Sequence, residues 1–349
     1  MKDLDTNTRR RLAEKLTELE DDISVAVTDL FFRRYPNKEI YEKTADTSCQ
    51  ADARFHLTFL KTAIEFGTEE TFKQYVNWTS NVLHSRNIRR HVLQKFLALM
   101  FQTLEPHLTD IEKKIVRSYL PETPPEPLPS EELSGASTPS AIQLHQKVFL
   151  QALLAGDRHA ARTIAFEAYS DGTPLMDIYV DLFQESLYEI GRLWESNRIS
   201  VAQEHMATAI TQYVMANLYA YVQPGTTRKG KGIITGVKGE LHQIGANMVA
   251  DVLEMEGWDI QFLGVNLPHH AILRTIQDFQ PNLVGISATM VLQMPMVKDL
   301  IQGIKGQYAP GTAPRILVGG SAFRSLPDAY REIGADAFAY DLRSLTTLI

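Results

Sequence analysis

The chain of 349 residues has a single cysteine, Cys49, so it can form neither an internal disulfide nor a cysteine-rich zinc site, a composition that suits a reducing compartment. It also lacks an apolar run of the ~18 residues that a membrane helix needs. Met1-Lys2-Asp3-Leu4-Asp5 opens directly into polar sequence, so no signal peptide is expected and the expected location is cytoplasmic. Basic residues are outnumbered by acidic ones, 35 to 42. The formal net charge is −7, and Arg89-Arg90-His91 and Arg228-Lys229-Gly230-Lys231 are too short to outweigh it, which argues against nucleic acid as a main partner. The nucleophile-elbow pattern Gly-x-Ser-x-Gly and the phosphate-loop pattern Gly-x-x-x-x-Gly-Lys-Ser/Thr are both missing, which removes two common enzyme classes.

Glycine is nearly absent before residue 120, and Leu12, Leu16, Leu19, Ile23, Val27, Leu30 and Phe31 recur mostly at steps of three and four. Residues 1–120 therefore read as a helical domain punctuated by Pro36 and Pro106. Phe55, Phe59, Ala63 and Phe66 line one stripe, and Phe72, Tyr75, Val76, Trp78, Thr79 and Leu83 a second. Two readings stand: an ordinary bundle with an aromatic core, or a pocket for a planar chromophore or haem, because His56, His84 and His91 lie among these aromatics. Residues 121–140 are rich in proline, glutamate and serine, cannot bury a core and read as a linker.

Residues 141–225 again read as helical, about four helices with breaks at Ala155-Gly156-Asp157, Ser170 to Pro174 and Glu195 to Arg198, which suggests an antiparallel four-helix bundle. From Gly230 to the end the period changes. Short apolar runs at Ile233–Val237, Ile260–Leu263, Leu283–Ser287, Ile316–Gly320 and Ala337–Tyr340 alternate with helical stretches, predicting a five-stranded parallel sheet of Rossmann or flavodoxin type. The expected class is thus α plus α/β.

Three pieces of the sheet domain fall at or just after predicted strand ends: Glu240-x-His242-x-x-Gly245, Ser287-x-Thr289 and Gly319-Gly320. Between Gly245 and Ser287 lie 41 residues, and between Thr289 and Gly319 lie 29. Carboxyl ends of parallel strands are where α/β sheets bind ligands, so an imidazole, hydroxyls and side-chain-free positions gather at one edge.

This set resembles the cobalamin-binding domain family, whose pattern is Asp-x-His-x-x-Gly, Ser-x-Leu and Gly-Gly. The resemblance implies that His242 is the lower axial cobalt ligand, that Ser287 contacts the buried base of the cofactor, and that Gly319 and Gly320 flank its nucleotide tail. Glu240 and Thr289 depart from the family's usual Asp and Leu. The extra methylene of Glu240 bears on the strength and geometry of the histidine–cobalt bond.

The preceding bundle carries Trp194, nine residues, then Glu204-His205. Read alone, these are a core tryptophan and a solvated first turn. The spacing resembles the cap signature of adenosylcobalamin photoreceptors, which implies that Trp194 and Glu204 surround a 5′-deoxyadenosyl group and that His205 takes the upper cobalt position after photolysis. The first domain looks like that of photocobilins, implying biliverdin as second chromophore with Arg54, His56, Tyr75 and Trp78 in its pocket. Cys49 is a conceivable thioether site.

The leading expectation is a non-enzymatic light sensor that is a homo-oligomer with a light-dependent state. The alternative is a corrinoid methyl carrier of a methyltransferase system. An adenosylcobalamin isomerase subunit would need a substrate barrel, and a haem-binding first domain would give a redox or gas sensor.

Overall fold

A computed structural model describes residues 5–35, 45–120, 140–221, 223 and 225–349. Pro36 and residues 121–139 of the expected linker lie outside the described residues. The chain divides into two compact units, Met1–Leu133 with Glu195–Asn197, and Ser134–Trp194 with Arg198–Ile349.

The first unit contains α1 (Thr6–Glu18), α2 (Glu20–Arg34), α3 (Ala45–Glu65), α4 (Glu69–Ser85), α5 (Arg90–Leu104) and α6 (Asp110–Tyr119). Leu12, Leu16, Ile23 and Val27 are buried as their spacing predicts, and Thr109 and Glu112 close a capping box at the start of α6. His56 is buried, with Nδ1 2.5 Å from the Tyr75 hydroxyl and its ring against Phe96. Tyr75 stacks on Phe59 with centroids 3.8 Å apart. Burial lowers the His56 pKa to about 4, so its ring is neutral at physiological pH.

His84 and His91 do not join this aromatic cluster; both are exposed. Arg54 is also elsewhere, ion-paired with Asp21 at 3.0 Å. The cause is helical geometry: residues 54 and 56 are two apart on α3 and therefore face different directions.

The second unit begins with α7 (Ala141–Ala155) and α8 (Arg158–Ser170). The third helix is composite: α9 (Leu175–Asp177), a π-helical segment (Ile178–Gln184) and α10 (Glu185–Glu195). The fourth is α11 (Val201–Leu218). Capping boxes at Ser140–Gln143 and Ser200–Gln203 start α7 and α11, and Gly156, at φ 71°, ends α7 in the left-handed conformation that glycine tolerates best.

Strands β1 (Gly230–Val237), β2 (Trp258–Leu267), β3 (Leu283–Ser287), β4 (Arg315–Gly319) and β5 (Ala337–Ala339) form one parallel sheet in the order β2-β1-β3-β4-β5. Helices α12 (Ile244–Met255), α13 (His269–Phe279) and α14 (Met294–Gly306) follow the first three strands. The chain winds outward in opposite directions from β1 and β3, so the loops after these two strands flank the topological switch point, where such sheets bind ligands.

The bundle and the sheet share a buried core that includes Phe149, Phe183 and Val214 on one side and Met248, Val252 and Leu253 on the other. A polar contact crosses it. The Tyr179 hydroxyl of the π segment donates to Asp251 of α12 at 2.6 Å, and Arg343 ties Asp177 and Asp181 to the end of the sheet domain at 2.9 and 2.8 Å.

Burial pushes the Asp251 carboxyl up to about 6, against the lowering effect of the Tyr179 hydrogen bond. Its folded pKa therefore exceeds its unfolded one, so the carboxyl's contribution to stability is greatest at low pH and declines as pH rises towards 6. Tyr179→Phe removes the hydroxyl that shields the charged form. The expected loss is about 1–3 kcal/mol at pH 7.5 and less at pH 5, where the folded carboxyl is mostly protonated. Urea unfolding at the two pH values checks it; an equal loss at both would show that the carboxyl is not the hydroxyl's relevant partner.

Candidate functional site

The motif residues converge at the switch point. Ser287 ends β3 in register with Gly236 of β1 on one side and Gly319 of β4 on the other. The loop after β1 turns at Gly239, φ 84°, drops Glu240 into a fully buried position and then returns His242 to the surface with a side chain 63% exposed. Gly245 is the second residue of α12.

Glu240 organises this loop. Its Oε1 accepts from the backbone N–H of His242 at 2.7 Å and lies 2.8 Å from His242 Nδ1, while Oε2 accepts from the Thr289 N–H at 2.6 Å. Burial pushes its carboxyl up, but these hydrogen bonds outweigh burial and hold it below the usual carboxylate range. The His242 pKa is raised, first by the hydrogen bond to Glu240 against the opposing effect of burial, with smaller contributions from the charges of Glu240 and Glu204. A carboxylate on Nδ1 fixes the neutral ring as the Nδ1–H tautomer and leaves Nε2 as the basic nitrogen, the arrangement in which a histidine ligates a metal.

Thr289 contributes its backbone N–H to this network, so the departure from leucine at that position costs nothing that the loop uses. Two residues that the motif did not reveal complete it. Gln293 is buried; its Oε1 accepts from Thr289 N–H and Met290 N–H, each at 3.0 Å, and its Nε2 donates to the Gly239 carbonyl at 3.0 Å. Asn266, at the end of β2, accepts the Gly239 N–H at 2.9 Å. The sequence signal for Gln293 was a lone polar residue in the apolar stretch from Met290 to Val297.

The helical bundle carries the other signature residues. Ser200 starts α11 so that Glu204 and His205 fall within its opening turns, with Glu204 half-buried and the His205 side chain 76% exposed. Glu204 accepts from the Thr208 hydroxyl at 3.1 Å and pairs with His205 Nδ1. Trp194 is half-buried near the end of α10.

The donor set fits a corrin-held cobalt. One imidazole with a free Nε2 supplies a single axial ligand, while the macrocycle supplies the equatorial ones. Leu241, 72% exposed beside His242, offers an apolar surface to a flat ligand, and a Cβ added at Gly245 would face open space beyond its own helix backbone. Gly320 serves differently. At φ 101° it packs against Ala288, and a Cβ there would lie 2.3 Å from the Ala288 carbonyl oxygen. It shapes the loop beside Ser287 through backbone packing.

In the first unit His56, Tyr75 and Trp78 gather, with Tyr75 and Trp78 ring centroids 6.4 Å apart, but Arg54 pairs with Asp21. The His56–Tyr75 pair is hydrogen-bonded within packed rings, so three of the four residues lie together and Arg54 lies apart from them.

Residues 146–219 and residues 230–344 each match a B12-binding domain model. A methionine synthase of Mycobacterium leprae is 25% identical over 178 residues, which cover 49% of this chain and 15% of that protein. The dimethylamine corrinoid protein 2 of Methanosarcina acetivorans is 26% identical over 154 residues, 43% of this chain and 69% of that one. The monomethylamine corrinoid protein of Methanosarcina barkeri has the same fold, with a TM-score of 0.53 and 23% identity over 60% of this chain and 98% of its own. The second unit of the chain thus carries B12-binding domains over its helical bundle and its sheet, and the chain is a cobalamin-binding protein.

Proposed function

We propose that the protein is a light sensor that holds adenosylcobalamin between the helical bundle and the sheet. What supports this reading is the pairing of Glu240 with the His242 ring at the sheet's switch point, together with a bundle in which Ser200 starts α11 so that Glu204 and His205 fall in its first turns, nine residues after Trp194. The cofactor would supply a cobalt–carbon bond that visible light breaks. Among the chain's own residues, Glu240 holds the His242 ring in its ligating tautomer, Trp194 and Glu204 would line the side of the upper group, and His205, exposed on the first turns of α11, would be the second imidazole available to the metal. The accompanying shift of the bundle would alter self-association or a partner contact.

A second reading, a corrinoid methyl carrier serving methyltransferases, has the stronger support from relatives, because those named above include methylamine corrinoid proteins. It uses His242 and Glu240 in the same way and gives His205 no task.

Purified protein loaded in the dark with adenosylcobalamin separates the two. The sensor predicts that green light in air-equilibrated buffer, with dissolved oxygen as the oxidant, yields a bis-imidazole cobalt(III) spectrum, and that His205→Ala leaves dark binding intact but changes the photoproduct to an aquo form. A photoproduct identical in both proteins, or binding of methylcobalamin with exclusion of the adenosyl form, rejects the sensor in favour of the carrier.

A further inference from the structure

Gly239 is the pivot of the loop that presents His242, and both of its peptide groups are held by side chains from other segments of the chain. Its N–H donates to Asn266 Oδ1, from the end of β2, and its carbonyl accepts from Gln293 Nε2, from the turn after β3. The Gln293 Oε1 is at the same time fixed by the amides of Thr289 and Met290. Glu240 crosses in the opposite direction, from the β1 loop to Thr289 N–H. Two buried side chains thus reach past each other between the same two loops, one donating into the β1 loop and one accepting from the β3 loop.

We propose that Gln293 and Asn266 are positioning residues that pin the Gly239 pivot and so pre-form the His242 loop before cobalamin arrives. The proposal rests on His242 being the cobalt ligand and adds how its position is set. A loop that rises from a buried carboxylate to an exposed imidazole within two residues has no strand ladder to fix it, so side chains must do so. Gly239, at φ 84°, occupies a conformation that lets the chain turn sharply but resists nothing by itself. With its N–H bonded to β2 and its C=O to the turn after β3, its two peptide planes cannot rotate without breaking a hydrogen bond, one of them inside a buried network. A ligand held in place in the free protein loses less freedom on binding.

The same wiring gives the glutamate at position 240 a purpose. The longer side chain holds the His242 ring with one oxygen and reaches the next loop with the other. Glu240 and Gln293 share the Thr289 N–H as a two-acceptor junction, so loosening Gln293 loosens the far anchor of Glu240 as well.

Three variants test the proposal by hydrogen exchange of the cobalamin-free protein. Gln293→Met fills the same volume without hydrogen bonds. Gln293→Glu keeps an acceptor for the Thr289 and Met290 amides but loses the donor to Gly239. Asn266→Gly removes the side chain at a site with φ 60°, where glycine is unstrained. We expect amides 239–243 to exchange about tenfold faster or more in all three, amides 289–290 to lose protection only in Gln293→Met, and the amides of β1 and β3 to keep theirs. In protein loaded with cobalamin, the histidine-ligated fraction should fall in the order wild type, Gln293→Glu, Gln293→Met. Unchanged exchange at 239–243 in Gln293→Glu and Asn266→Gly overturns the proposal, as does loss of protection throughout the sheet in these two variants, which would make the residues general supports of the fold. Failure of the cobalamin reading looks different: wild-type protein would take up no cobalamin, whatever the exchange pattern.

Discussion

Gly320→Ala is expected to destabilise the second unit by about 2–4 kcal/mol, a cost combining a backbone region closed to L-residues with a collision that cannot be relieved by a rotamer change. Gly320 has φ 101° and ψ 173°, and the added methyl would sit 2.3 Å from the Ala288 carbonyl oxygen and 2.9 Å from its carbon. Two backbone hydrogen bonds lock these segments together, Ala288 N–H to the Gly319 carbonyl at 3.0 Å and Ala322 N–H to the Ala288 carbonyl at 3.3 Å. The strain therefore passes into the loop carrying Ser287 and Thr289, and Thr289 N–H is one of Glu240's donors. Gly245→Ala makes the opposite case. Outside its own stretch of helix backbone the new methyl meets no atom within 4 Å, so stability should hold or rise slightly through helix propensity, while cobalamin affinity falls if the cofactor's tail runs over this position. Thermal unfolding and cobalamin titration of the pair distinguish a glycine needed by the chain from one needed by the ligand. Equal stability of Gly320→Ala and wild type would refute the packing argument.

The contrast between these glycines explains what the sequence could and could not convey. The strands and the motif at their ends were legible because burial on both faces of a parallel sheet enforces short apolar runs, and because Glu240, His242 and Gly245 are close in sequence. Gln293 and Asn266 were not, since each acts on Gly239 across more than twenty residues and carries no pattern of its own. Asp251 gave a weak signal as an ionisable residue on the buried stripe of α12, but its partner Tyr179 lies 72 residues away in a π-helical segment, which the spacing of apolar residues does not announce. In the first unit the stripes were legible as helix faces, with an aromatic core and a chromophore pocket both open. Which histidine joined them depended on helix phase: His56 faces Tyr75, while His84 and His91 face outward.

Removing the Glu240 carboxylate is the sharpest test of the site itself. Glu240→Ala leaves His242 N–H, His242 Nδ1 and the Glu240-facing bond of Thr289 N–H without their acceptor, and it frees the imidazole to choose its tautomer. Loss of such a supporting carboxylate typically weakens metal binding by about 10–100-fold, and that is the expected fall in cobalamin affinity at pH 8. The pH dependence has a definite sign. Cobalt and a proton compete for Nε2, and the hydrogen bond to Glu240 raises the His242 pKa, so wild-type binding weakens as pH falls through that raised value. The variant, lacking the carboxylate, titrates lower and loses less on acidification. The gap between the two proteins should therefore narrow from pH 8 to pH 6, as measured by cobalamin titration in the dark. Glu240→Asp keeps a carboxylate near the ring but gives up the reach to Thr289, so it should fall between the two proteins in affinity and resemble Gln293→Glu in the exchange of its loop. A gap that widened on acidification would mean that the carboxylate acts on the cofactor by some route other than the imidazole.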